Sequence, residues 1–231
     1  MRVLAFDTSS PWCSVALSHE GGWFEHEEEV GQAHSERLLP IVRQLLARAR
    51  CAISQLDGIA FGAGPGSFTG VRIACSVAQG LALGLERPAV PVCTLEAMAQ
   101  HAWREHHIER PYVCTDARMG EVYVAAYERT QDGWREWLTP AVMKPIAVPP
   151  MPHVRDWTGC GNGFEAYPQL ASALDIATVC NDVRATGRAI AELALPRFAA
   201  GSAVTAEEAL PLYVRHRVAL TSAEREAGLR L

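Results

Sequence analysis

A single lysine, Lys144, stands among the 21 basic residues of this 231-residue chain, so nearly all of its positive charge is arginine. Positive charge is not in excess either. Asp and Glu number 26 and leave a formal net charge of −5, which argues against a chain that grips nucleic-acid phosphates by itself. The seven cysteines (Cys13, Cys51, Cys75, Cys93, Cys114, Cys160 and Cys180) are odd in number and form no CxxC. Most lie in apolar runs, which excludes a disulfide framework or a zinc ribbon and suits small buried hydrophobes in a reducing compartment. The opening MRVLAFDTSS is too short an apolar run for a signal peptide, and no segment approaches a membrane span. A cytoplasmic protein with no membrane contact is expected. Hydrophobic residues at 49% and charged residues at 20% suit a globular fold, and the length allows two packed lobes.

Apolar periodicity organises the rest. Val3–Phe6 reads as a strand ending at Asp7-Thr8-Ser9-Ser10, followed by alternating strands at Cys13–Ser18 and Trp23–Glu29 around a His19–Gly22 turn. Ser35–Arg50 turns helical, with Leu38, Leu39, Ile41, Val42, Leu45, Leu46 and Ala49 spread over an arc of roughly 160°. Pro40 lies early in that helix, where it costs least. Asp57–Gly62 is a buried strand, and Thr69–Leu85 a helix apolar on nearly every side, ending before Pro88. A strand at Ala89–Val92 and a helix at Leu95–His107 follow. The pattern then restarts, with strands at Tyr112–Thr115, Glu121–Arg129 and Gly133–Leu138 and an irregular connection at Thr139–Pro152. Trp157–Gly159 leads into a helix near Phe164–Leu174, a strand at Ile176–Val179 and a last helix at Ala185–Ala200. A strand, an Asp, a hairpin and then helix–strand–helix thus occur twice, with a break near residue 108. That predicts a duplicated α/β architecture, with lobes over 1–108 and 109–231 and the last helix and tail packing back on the first lobe.

Chemistry-bearing motifs are few. Asp7-Thr8-Ser9 at a strand end could wrap a phosphate or hold Mg²⁺, or form an ordinary Asx turn. Gly62-Ala63-Gly64-Pro65-Gly66-Ser67-Phe68-Thr69-Gly70 leads from strand to helix, where free N–H groups could hold an anion. It is neither a Walker loop, a GxGxxG fingerprint nor a GxSxG elbow, and tight backbone packing explains its glycines as well. His101, His106 and His107 have the wrong spacing for two ligands on one helical face, and no third ligand joins His101 and Glu105, so no metal site is expected. His34 and Glu36 at a helix start suit capping or surface roles. No paired carboxylates and no Ser–His–Asp or Cys–His arrangement stand out.

Four segments carry a resemblance: VLAFDTSSPWCSVAL from Val3, GAGPGSFTGVRIA from Gly62, TDARMGEVYVAAY from Thr115 and PLYVRHRVA from Pro211. Together they resemble the TsaB (YeaZ) family along nearly the whole chain. The resemblance implies the duplicated actin-like, sugar-kinase-like fold. It also implies a non-catalytic subunit that dimerises with its paralogue TsaD, the enzyme that transfers threonylcarbamoyl to the adenosine beside the tRNA anticodon. A TsaE-type ATPase would join that pair, tRNA would be met only indirectly, and the chain alone would form a homodimer. TsaD carries a His-x-x-x-His metal motif after the strand that follows its GPG helix. Here Thr94 and Met98 stand at those positions, and neither replaces imidazole at a hard metal centre. No catalytic residue and no metal ligand are therefore expected, and no peptidase site.

By position in the superfamily, Asp7, Thr8, Ser9, Asp116, Arg118 and Gly161 are the candidate nucleotide contacts, with ATP bound only weakly or within the complex. A small-molecule kinase of the same superfamily is the alternative; it would need intact phosphate loops, whereas Thr8 and Ala117 stand where glycines usually accompany them. The breadth of the apolar surface on the helices near Ser35–Arg50 and Thr69–Leu85 points to them as the partner surface. The expected contacts are Leu38, Leu39, Val42, Leu45, Leu46, Val71, Ala74, Val77, Ala78 and Leu81.

Overall fold

The computed structural model describes residues 1–215. Three antiparallel strands open the chain: β1 (Val3–Asp7), β2 (Trp12–His19) and β3 (Gly22–Glu29). β1 is buried along its whole length, as its unbroken apolar run requires, and it pairs antiparallel with β2 and parallel with β4 (Gly58–Gly64). Helix α1 (His34–Arg48) joins β3 to β4 and tolerates Pro40 in its second turn. Helix α2 (Phe68–Leu85) begins at the Ser67 cap, whose hydroxyl accepts from the Gly70 N–H, and ends at Glu86 in the left-handed conformation just before Pro88. It returns the chain to β5 (Ala89–Cys93), parallel to β4, and α3 (Thr94–His106) follows. The sheet order is β3-β2-β1-β4-β5.

The second half repeats this. β6 (Pro111–Arg118), β7 (Glu121–Thr130) and β8 (Gly133–Met143) form the meander, then come β9 (Thr158–Cys160), α4 (Gly163–Ala166), α5 (Gln169–Ala173), β10 (Thr178–Cys180) and α6 (Gly187–Ala199). Its sheet order, β10-β9-β6-β7-β8, is the first order read from the other edge, with β9 parallel to both neighbours. The counterpart of α1 is missing: between β8 and β9 the chain forms only 3₁₀ turns at Pro145–Ala147 and Val154–Asp156.

Two sequence expectations change here. Thr139–Met143 belongs to β8 and not to an irregular connection. Ala126 pairs with Leu138 and Val124 with Ala141, so Thr139 and Pro140 bulge opposite Ala125 on an edge strand, where a proline without an N–H is tolerated. The helix expected over Phe164–Leu174 is two short helices broken at Tyr167-Pro168. A third correction concerns α2, which by length and composition alone is apolar enough to cross a membrane, contrary to the expectation that no segment approaches a span. Its inner side is covered by β4 and its first turn is locked against Thr8, which places it as a core helix of the first lobe.

Packing builds the molecule in layers. On the outer face of the first sheet, Leu4, Phe6, Val15, Leu17, Ile59 and Phe61 meet the inner sides of α1 and α2. On the outer face of the second, Tyr112, Val122 and Val124 meet Trp157, Phe164, Leu170 and Leu174. Between the two sheets lie α3 and α6, in one shared apolar cluster that includes Val3, Val90, Leu95, Met98, Val113, Tyr127 and Ile190. The helices are exchanged: α3, which ends the first repeat, packs on β6, β7 and β9, while α6, which ends the second, packs on β1, β2 and β4. Gly187 makes the second exchange possible. Its N–H donates to Ser14 Oγ at 2.8 Å, and a Cβ there would lie 2.7 Å from the Ala16 nitrogen.

Candidate functional site

The strand-end turns are built from residues that satisfy one another. Asp7 is fully buried; its Oδ1 accepts from the Ser9 N–H at 2.9 Å and from Ser9 Oγ at 2.8 Å. Its Oδ2 has no hydrogen-bond partner. Burial is the larger influence and the two Ser9 bonds oppose it, so the Asp7 carboxyl is pushed up to about 6. Thr8 Oγ1 donates to the Gly70 carbonyl at 2.7 Å, and the Ser67 N–H donates to the Ser9 carbonyl at 2.8 Å. The glycines of the following loop let these backbones touch. A Cβ on Gly62 would lie 1.9 Å from Asp7 Oδ2, one on Gly66 2.6 Å from Ser9 Cβ, and one on Gly70 1.8 Å from the Thr8 carbonyl oxygen. Close packing of the loop on the first hairpin is therefore what the glycines do.

The second-lobe turn is similarly self-contained. The Asp116 N–H donates to Asn162 Oδ1 at 3.1 Å, its carboxylate accepts the Arg118 N–H at 2.8 Å, and Arg118 Nη1 lies 3.1 Å from Asp116 Oδ2. Gly161, at φ +102°, packs on Cys114 and Met98: a Cβ would meet the Cys114 carbonyl at 2.6 Å and Met98 Cε at 2.7 Å. Between the turns stands α3, where the Thr94 hydroxyl donates to the Pro65 carbonyl and Met98 is buried in the inter-sheet core. A nucleotide triphosphate with its cation needs free donors and a reachable carboxylate. Here Thr8, Ser9 and Asp116 spend theirs on the protein itself, and Asp7 Oδ2 faces Gly62 and the Thr94 methyl. Of the candidate contacts, the exposed Arg118 guanidinium keeps donors for such a group, while the donors of Thr8 and Ser9 are engaged within the protein.

A further segment, absent from the expected site residues, closes over these turns. After α6 the chain pairs Val204 with Ala89, then runs along α2, where Cys75 Sγ and Gln79 Nε2 donate to the Ala209 carbonyl at 3.0 and 3.1 Å. The Leu212 N–H donates to the Ala63 carbonyl at 2.7 Å in the first lobe. Arg215 reaches the second, donating to Glu121 at 2.7 Å and to the Ala117 carbonyl at 3.0 Å. Part of this strap lies in the PLYVRHRVA segment quoted above; His216–Ala219 of that segment lie outside the described residues. The tail was expected to pack back on the first lobe, but its exact path has no periodicity to reveal it and rests on a few isolated hydrogen bonds.

His101 has a structural role. It is buried on α3, where Nδ1 accepts the Arg184 N–H at 3.4 Å. Burial first, and then Arg104, hold its imidazole below the usual range. Among the described residues no three His, Cys, Asp or Glu side chains are placed to hold a metal ion.

The α1–α2 face is different, because it is open. Leu39 is 41% exposed and Phe68 49%, and with Ser35, Ile73, Ser76 and Val77 they border a groove of about 460 Å³ between the helices. Arg72 stacks on Phe68 at 3.7 Å from the ring centroid and donates to the Tyr213 hydroxyl at 3.0 Å, which extends the face onto the strap. The expected interface set divides here. Leu38, Val42, Leu45, Leu46, Val71, Ala74 and Ala78 are buried within the lobe in the single chain, with Leu38 at the floor of the groove. Leu39 is exposed, and Val77 and Leu81 are half-buried. Residues 73, 77 and 81 line the outer side of α2, while residues 71, 74, 78 and 82 form the spine pressed on β4. Phe68, Arg72 and Ile73 belong to the open face and were missed, because Phe68 reads as loop and α2 is apolar all round.

A repeated five-strand sheet of one order, with the repeats' closing helices exchanged across a common core, defines a two-lobed protein of the actin-like class. The family model described as TsaD, tRNA N6-adenosine threonylcarbamoyltransferase, matches residues 25–222. The tRNA threonylcarbamoyladenosine biosynthesis protein TsaB of Escherichia coli K12 is 40% identical over 95% of this chain and 96% of its own length. Its Haemophilus influenzae counterpart is 35% identical over 94% and 95%. Among solved structures, YeaZ from Pseudomonas aeruginosa superposes with a TM-score of 0.84 at 41% identity, covering 92% of this chain and 99% of that one. On this agreement the chain belongs to the TsaB (YeaZ) family.

Proposed function

We propose that this protein serves tRNA threonylcarbamoyladenosine biosynthesis in the cytoplasm as a non-catalytic subunit, pairing with a TsaD-type transferase and, through that pair, recruiting a TsaE-type ATPase. The observation that carries the pairing is the open apolar α1–α2 groove, bordered by Leu39, Phe68 and Val77. A paralogue with helices in the corresponding places can lay them into it, and a second copy of this chain can do the same when the paralogue is absent, with tRNA met only through the assembly. The non-catalytic role is supported by Thr94 and Met98, both engaged in packing at the positions where the transferase has its histidines. The same reading has ATP bound by the assembly and only weakly by the chain alone, since the strand-end turns hold their own donors.

Mixing the purified chain with its cognate TsaD-type protein and measuring complex mass, with and without ATP, tests this directly. A stoichiometric heterodimer is expected. Leu39→Arg should weaken it at least about tenfold while leaving circular dichroism unchanged, because a charge then faces an apolar contact. Wild-type affinity in that variant would place the interface elsewhere.

A further inference from the structure

Two of the seven cysteines face each other. Cys160 ends β9 and Cys180 ends β10, and the parallel register of these strands pairs them directly. Register partners on neighbouring parallel strands point to the same side of the sheet and sit about 4.8 Å apart at Cα, inside the range a disulfide spans. Both lie in the inter-sheet cluster, whereas Gly159 and Val179, one residue earlier, face the opposite side of the sheet, toward Phe164 and the outer cluster. Cys160 is fully buried and Cys180 is half-buried, so only Cys180 offers its sulfur to a reagent in solution. β10 is an edge strand of three residues with one neighbour, which leaves it free to make the small approach that bonding needs.

We propose that Cys160 and Cys180 form a reversible disulfide when the protein meets a small-molecule disulfide, which makes this strand pair a redox modification site. The Cys180 thiolate, its proton lost to solvent, attacks one sulfur of the reagent; the reagent's S–S bond breaks and one thiolate leaves. The Cys160 thiolate, its proton also lost to solvent, then attacks the Cys180 sulfur of the mixed disulfide and expels the second reagent thiolate. Two protein thiols give up two protons and two electrons, and one disulfide becomes two thiols. The Cys160 thiol at present donates to the Thr158 carbonyl at 3.5 Å, a long bond that rotation about Cα–Cβ releases. Burial and the charge of Asp182 hold both thiols above their usual range, so the exchange is slow and reports sustained oxidation. The bond would fasten the Gly161-Asn162-Gly163 turn, which holds Asp116, to the segment leading to Arg184 and Glu27 of the first lobe.

The test treats the folded, full-length chain with oxidised glutathione at pH 8, followed by alkylation of the remaining thiols and intact mass. The expected product has lost two hydrogens and retains five alkylatable cysteines. Trypsin cuts at Arg155 and Arg184 and leaves both cysteines in one peptide, so a second cut at Glu165 is needed to show two fragments joined until reduction. The closed form should melt roughly 5 °C higher, because the link constrains the unfolded chain. Cys160→Ser should stop at a glutathione adduct on Cys180. A wild-type protein that also stops at that adduct, that bridges other cysteines, or that keeps seven free thiols overturns the proposal.

Discussion

Asp7 carries a carboxylate that water does not reach, and one of its oxygens has no partner. A group whose folded-state pKa lies above its unfolded value binds its proton more tightly when folded, so stability is lost as pH rises from about 4 to about 6 and stays low above that. Asp7→Asn removes this titration. The free-energy difference between variant and wild type should shift in the variant's favour by about 2.5 kcal/mol between pH 4 and pH 7, as read by urea unfolding at both values. An amide left without an acceptor adds a constant offset but no pH dependence. A difference independent of pH would show that the carboxylate is solvated. Gly70 makes the complementary case. A Cβ there meets the Thr8 backbone oxygen at 1.8 Å, which neither a helix nor a hairpin turn can move aside cheaply. Gly70→Ala should destabilise the protein by about 3 kcal/mol, measured the same way. The sequence shows Asp7 and Gly70 as notable and leaves a ligand reading and a packing reading open at both. Only the placement of Gly70 under Thr8 shows that the two motifs exist to pack on each other.

Elements were legible in the sequence where a pattern had a period. The meander, α1, β4, α2 and β5 have alternation or a 3.6-residue repeat and lie within a few residues of where the pattern puts them. β8 was cut short because Pro140 reads as a break, although an edge strand absorbs it in a bulge. The orientation of α2 was not legible at all, since a helix apolar on every side carries no information about which side faces in. Packing decides it through size: Ala74, Ala78 and Ala82 allow close contact with β4, while the larger Ile73, Val77 and Leu81 pack half-buried at the margin of the same core. This gives an asymmetric prediction for two arginine substitutions. Ala78→Arg places a long charged side chain in a fully buried position and should destabilise the fold by at least about 3 kcal/mol, visible as loss of the thermal transition. Leu39→Arg on the open face should keep the melting temperature within about 2 °C of wild type, because surface changes are usually small. An Ala78→Arg variant that melts like wild type would contradict the orientation of α2, and a Leu39→Arg variant that loses its transition would contradict the open side of α1.

At the scale of the whole molecule, the division near residue 108 follows the repeats but not the packing. The duplication was visible because strand, Asp and hairpin recur. The return of α6 to the first lobe was among the expectations, and α6 does pack on β1, β2 and β4; the other half of the exchange, α3 lying on β6 and β7, was not visible. α6 supplies Ala189, Ile190 and Ala194 to a cluster with Val3 and Val90, and its first residue is bonded to Ser14. Arg188 stacks on Trp23 at 3.7 Å and bonds Glu25 at 3.0 Å, while Arg184 bonds Glu27 at 2.6 Å, so β3 is held by the far end of the chain. A fragment of residues 1–108 would have one face of its sheet bare, with Val3, Ala5, Ala60 and Val90 in water. It would also leave α3 without β6 and β7 to lie on. Uncovered apolar surface of that size is incompatible with a stable monomer. The fragment expressed alone should therefore aggregate or give a spectrum without a cooperative melt, whereas the full chain should unfold in a single calorimetric transition. If the fragment instead melts cooperatively near the temperature of the full chain, the first lobe is self-sufficient and α6 is an accessory to it. Co-expression of 1–108 with the remainder separates the two cases further, because exchanged helices require the pieces to copurify.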